Sequence, residues 1–163
     1  GLIGENGPRT RQCLERFLER HHLEPLEFQA ARIPCYTGWV PPSRRVGGAD
    51  IYLVGDAAAH VKVTTVGGIV TGFRGAVGVA EMILHGRTSG VLRGLRWELD
   101  WHRLLRRVLG RFDQGDYKLL LDVLNPEVLE ILGTHTRDEA GRMLARLCLA
   151  QPRLILLALR TLI

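Results

Sequence analysis

The sequence predicts an α+β protein that is mostly helical, and three observations predict it. Apolar residues recur at helical spacing in several segments, most clearly between Val91 and Phe112. A four-residue apolar run, Ile51–Val54, stops at Gly55-Asp56 and is too short to be anything but a buried strand. Helix start signals such as Asn125-Pro126 mark the second half. The expected organisation is a small α/β region over residues 1–88 followed by a helical region over 89–163.

The elements follow in order. Asn6-Gly7-Pro8 is a turn with proline at a first helical position, and Leu14, Phe17, Leu18 and His21 share a stripe. A helix is therefore expected over Pro8–His22. "LEFQAARI" (26–33) reads as a short, weakly alternating strand. The next stretch, 33–50, holds three prolines and three glycines and reads as an irregular connection. After the 51–54 strand, a helix is expected over about Gly68–His85, with Gly86 as its stop signal. The long helix Val91–Phe112 is expected to turn Trp97, Trp101, Leu104, Leu105, Val108 and Phe112 to one face. Further helices are expected after Asp113, from Asn125, over 136–150 and over 152–163.

Composition narrows the class. An apolar fraction of 46% describes a globular chain. The net charge is +5, carried by 20 arginines with only Lys62 and Lys118 beside them. The arginines lie mostly on solvated helix faces with no dense basic patch between aromatics, so nucleic-acid binding is not expected. Cys13, Cys35 and Cys148 are odd in number and far apart, which predicts buried, reduced thiols in a cytoplasmic protein. No CxxC occurs and no metal site is expected. No uninterrupted apolar run is long enough to span a bilayer, since Arg146, Pro152, Arg153 and Arg160 break the C-terminal one.

The stretch "IYLVGDAAAHVKVTTVGGIVTGFRGA" (51–76) is where chemistry is expected. A strand ending in Gly55-Asp56 delivers a carboxylate to a sheet edge, where open α/β folds bind ligands. An ionised carboxylate accepts hydrogen bonds, so sugar or polyol hydroxyls suit it; a plain strand-end turn is the alternative. Val66, Gly67, Gly68 and Ile69 offer backbone N–H groups at a helix start, which favour a negatively polarised ligand atom. Gly72, Gly75 and Gly78 each cost that helix about 1 kcal/mol relative to alanine. They permit close approach by a neighbouring element or a flat ligand, and close packing is the simpler account.

These residues resemble the second flavin-contacting motif of the geranylgeranyl reductase family, FAD-dependent oxidoreductases with a hydroxybenzoate-hydroxylase type of fold. The family pattern is approximately GDAAG, a loop ending in a glycine cluster and Ile, then a helix ending in AAE. Gly55, Asp56, Ala57, Ala58, Thr64, Thr65, Gly67, Gly68, Ile69, Gly72, Ala80 and Glu81 match it. "WELDWHRLLRRVLGRFDQGDYKLLLDVL" and "THTRDEAGRMLARLCLAQPRLI" resemble the helices that follow the motif in digeranylgeranylglycerophospholipid reductases, so the likeness covers roughly 48–160. Ala59 stands where glycine is usual, Val63 where proline is common, and Val66 where the glycine cluster begins. A β-branched residue at 66 resists positive φ and adds bulk near the expected flavin edge.

The resemblance implies FAD as cofactor. Gly55, Asp56 and Ala57 would lie at its ribityl or diphosphate part, and Val66, Gly67, Gly68 and Ile69 at the pyrimidine side of the ring. It implies reduction of isoprenoid double bonds and an isoprenoid or prenyl-lipid partner, with peripheral membrane contact a further expectation. The chain has no GxGxxG, so it is similar to the C-terminal portion of such an enzyme, with the N-terminal FAD-binding half as missing partner. Other readings are a helical binding module that holds a lipid chain near Trp97 and Trp101, or part of a related flavin monooxygenase. No catalytic residue is assigned, and His60 reads as a loop histidine without a catalytic role.

Overall fold

The computed structural model describes residues 2–4, 6–87, 89–136 and 139–162. By packing they form two units, 1–32 and 33–163, each described by itself.

The first unit is organised by helix α1, Gly7–Arg20. Asn6 caps it by accepting the Arg9 N–H at 3.1 Å, and Pro8 occupies the first turn, as expected. An Arg11–Glu15 pair at 2.8 Å runs along an exposed face, and the Arg11 guanidinium lies over the Phe28 ring. No residue of α1 is buried. The strand expected over 26–33 is absent: the segment is irregular and exposed throughout. Its weak alternation has no partner strand to satisfy its backbone groups, and Pro25 and Pro34 bracket it.

The second unit begins with an irregular strap, 33–42, and then a hairpin where only a connection was expected. Strand β1 (Ser43–Val46) pairs antiparallel with β2 (Ala49–Tyr52), with Val46 opposite Ala49 and Ser43 opposite Tyr52. Gly47 and Gly48 form its two-residue loop at φ 56° and 87°, the left-handed pair that matches strand twist. All eight strand residues are exposed. The expected buried strand over 51–54 is thus corrected: β2 ends at Tyr52, and this two-stranded sheet supplies no parallel edge for Asp56.

Seven helices are described in all, and the α+β, mostly helical expectation holds. A 3-10 turn, Gly55–Ala58, leads to α2 (Ile69–His85), which Gly86 ends at φ 63° as its glycine predicted. Helix α3, Gly90–Leu109, starts where the Ser89 hydroxyl accepts the Leu92 N–H at 3.0 Å. Then come α4 (Gln114–Asp122) with an Asp113/Asp116 capping box, α5 (Pro126–Thr134) with Asn125 as cap, α6 (Ala140–Ala150) and α7 (Arg153–Leu162). Part of the helix expected over 136–150, residues 137 and 138, lies outside the described residues. Arg160 pairs with buried Asp116, tying α7 to the capping box of α4.

The core forms where α3 meets the strap. Tyr36, Leu95 and Leu99 are buried together, with Trp39, Ala59 and Val63 against them. The Tyr36 hydroxyl donates to Asp100 at 2.8 Å, and burial, then that carboxylate, pushes its phenol pKa well above the usual value. The buried face of α3 is therefore Leu92, Leu95, Glu98, Leu99 and His102, continuing to Val108. The expected face is corrected in its first half: Trp97 is 64% exposed and only Val108 of that set is buried. Trp97 and Trp101 meet edge to face at 5.6 Å, with Trp101 half-buried against Gly141 of α6. The expectation of buried thiols is also corrected, since Cys13 and Cys35 are exposed and Cys148 is half-buried, all three free.

Candidate functional site

The motif folds as a turn, a closed loop and a helix start. Gly55 takes φ 59° and opens the 3-10 turn. The turn closes when Ala59 N–H reaches Asp56 O at 3.0 Å and His60 N–H reaches Gly55 O at 2.9 Å. The loop then closes on itself: Lys62 N–H donates to Gly67 O at 3.1 Å, and Val66 N–H to Lys62 O at 2.7 Å. Helix α2 begins at the next residue but one, with no side-chain cap on Gly68.

This brings Asp56 to the start of α2. Its Oδ1 lies 3.2 Å from where a Cβ on Gly68 would stand, so Gly68 leaves room for the carboxylate beside the helix N-terminus. Asp56 is exposed, and no donor to its carboxylate is found among the described residues. Gly55, Gly67 and Gly68 are half-buried, while Ala57 and Ile69 are exposed, Ile69 at 78%. The predicted residues Gly55, Asp56, Gly68 and Ile69 thus gather at one helix start, with Val66 and Gly67 in the loop just before it. The first-turn N–H groups and the nearby carboxylate together suit a ligand with hydroxyls and an electron-rich ring atom.

Backbone geometry bears on the two departures that replace glycine. Ala59 and Val66 both sit at φ 53°, in the left-handed region. Val66 is β-branched and half-buried there, at a cost of about 1–2 kcal/mol. Val66→Gly should relieve that cost and lose part of the gain to the entropy of its unfolded chain. The expected net is about 1 kcal/mol of added stability, a Tm rise of about 2–4 °C in a thermal melt. An unchanged or lower Tm would mean the loop pays no penalty at 66.

The glycines of α2 are used for packing, as their spacing suggested. A Cβ on Gly75 would stand 2.1 Å from His60 Nδ1, and one on Gly78 2.6 Å from Leu92 Cγ. His60 is fully buried, stacked on Trp39 at 5.7 Å, and neither ring nitrogen has a hydrogen-bond partner. Burial holds its pKa below the usual imidazole value. Its backbone oxygen accepts the Thr71 hydroxyl from the first turn of α2. His60 is thus in a loop, as expected, but its side chain is part of the core and joins the turn to the helix.

A second constellation escaped the sequence reading. The Thr64 hydroxyl lies 2.5 Å from His102 Nδ1, and His102 Nε2 lies 3.2 Å from Glu98 Oε1. The same Glu98 oxygen accepts the Ala140 N–H at 3.0 Å, at the start of α6. Glu98 and His102 are both buried on the core face of α3. The signal was their i, i+4 spacing amid leucines, although Thr64 and Ala140 reach them only through the fold.

A cleft of about 340 Å³ lies between strap, hairpin and helices, with Trp39, Pro41, Pro42, Met82 and Leu92 along it and Arg93 and Arg96 among its residues. Among the described residues no group of three or more His, Cys, Asp or Glu could hold a metal ion, and no helix is long and apolar enough to cross a membrane. No protein-family model, curated protein or solved structure matches the chain.

Proposed function

We propose that this chain is the C-terminal part of an FAD-dependent oxidoreductase that reduces isoprenoid double bonds. The observation that carries the reading is the backbone at 59 and 66. Those are the two positions where the flavin motif has glycine and this chain does not, and both take the left-handed conformation glycine favours.

Around that backbone each residue has a role. Asp56 would accept from ribityl or ribose hydroxyls, and the uncapped start of α2 at Gly68 and Ile69 would face the pyrimidine edge and favour its negative charge when reduced. Flavin supplies hydride chemistry when bound. The apolar wall of Trp39, Pro41, Pro42 and Met82 suits a prenyl chain, with Arg93, and Arg96 beside its partner Asp100, near enough to meet an acidic head group. Exposed Ile69, Val70, Phe73 and Val77 on α2 suit cover by the cofactor and by a further FAD-binding half.

The test is to express the chain together with the polypeptide encoded directly upstream. The purified wild type should carry flavin absorbance, and Asp56→Asn should weaken FAD binding by about 10–100-fold in a fluorescence titration, the worth of a charged hydrogen bond. A colourless wild-type protein that takes up no FAD would sink the reading.

A further inference from the structure

We propose that helices α6 and α7 form a docking surface for an anionic lipid membrane, lying on it rather than crossing it. Docking of this kind is independent of the reductase reading above. From Ala140 to the last residue the sequence has four arginines and no aspartate or glutamate, so this stretch carries +4 of the chain's net +5.

Burial sorts each helix into an inner and an outer face. On α6, Ala140 and Leu147 are buried, while Arg142, Ala145, Arg146 and Leu149 are exposed at i, i+3, i+4 and i+7, Leu149 at 82%. On α7, Leu157 and Thr161 are buried, with Leu154 and Ala158 half-buried beside them. Ile155, Leu156 and Leu159 are left outside, Leu156 at 68%, and the exposed Arg153 and Arg160 border them. Four large apolar side chains thus stand in solvent among arginines, although α7 has already buried the side it uses for packing.

The charge pattern selects the occupant. Arg142 pairs with Glu139 at 3.2 Å and Arg160 with Asp116, whereas Arg146 and Arg153 have no ion pair among the described residues. A second copy laid on this face would set its arginines against their own like charges. An anionic bilayer meets both features at once: leucines enter the acyl boundary while guanidinium groups hold lipid phosphates. Helix α7 has ten residues, and no described helix is long and apolar enough to cross a membrane, so the contact is interfacial.

The test is co-sedimentation of the full chain with vesicles of phosphatidylcholine and phosphatidylglycerol in equal parts, and with phosphatidylcholine alone. The wild type should bind the mixed vesicles, release them as salt is raised, and leave the neutral ones in suspension without it. Arg146→Gln combined with Arg153→Gln should weaken binding by about tenfold or more. Arg106→Gln combined with Arg107→Gln removes the same charge from exposed positions of α3 and should change it by less than about threefold. Leu149→Ser combined with Leu156→Ser should also cost about tenfold or more, because charge alone does not hold a helix in the interface. Should the serine pair fail to fold by circular dichroism, the two arginine pairs carry the test. A wild type that ignores the mixed vesicles, equal weakening by both arginine pairs, or full binding by a folded serine pair would overturn the proposal. So would a wild-type oligomer that the serine pair converts to monomer with vesicle binding unchanged, which would give the face to a second copy.

Discussion

Gly75→Ala should destabilise the protein by about 3 kcal/mol, lowering Tm by roughly 6–12 °C in a thermal melt. The added methyl would stand 2.1 Å from Nδ1 and 2.5 Å from Cε1 of His60. That ring cannot swing away cheaply. It is fully buried and stacked on Trp39, and its backbone is held on both sides, by the bond to Gly55 O and by the Thr71 hydroxyl. The gain in helix propensity, up to about 1 kcal/mol, is too small to compensate. Gly94→Ala separates the two effects: a Cβ on this exposed position of α3 meets nothing closer than Arg74 Nη2 at 3.7 Å, so the variant should gain stability. Wild-type Tm in Gly75→Ala would mean that His60 has another place to go.

Acid should weaken the fold through the same histidine. Burial holds the His60 pKa below the ordinary 6.5, so the folded protein keeps this ring neutral while the unfolded chain protonates it. The unfolded state then binds more protons below pH 6.5. Stability is complete above that value and falls as pH drops toward the folded pKa, by up to about 1.4 kcal/mol per pH unit. Denaturant midpoints measured from pH 8 to 5.5, above the ordinary carboxylate range, should decline in the wild type and stay nearly level in His60→Leu. Parallel curves for the two proteins would assign the loss elsewhere. Because His60 joins the Gly55 turn to the start of α2, the same protonation should disturb the candidate site before the C-terminal helices.

Local chemistry was legible in the sequence wherever a few neighbouring residues decide the backbone. The Asn6 and Asn125 caps, the Gly86 stop and the helical content all follow from short-range rules. The Gly47-Gly48 hairpin was equally local, yet it was absorbed into a stretch judged irregular for its prolines. The buried face of α3 was not local. Two overlapping apolar stripes run along that helix, and only the strap and α2 select the one through Leu92, Leu95 and Leu99. The stripe through the tryptophans is the one left outside, with Trp97 64% exposed.

The sequence by itself determined a mostly helical α+β chain, its principal caps and stops, and the motif residues 55–57 and 66–69 as the place to look. Each of these depends on residues within one or two helical turns of each other. Tertiary structure decided that Asp56 lies beside Gly68, that Ala59 and Val66 are left-handed, and that His60 is a core residue. It alone joined Thr64 to His102 across 38 positions, and Glu98 to Ala140 across 42. The physical reason is range: backbone propensity acts over a few residues, whereas burial and side-chain hydrogen bonds depend on which segments the fold brings into contact.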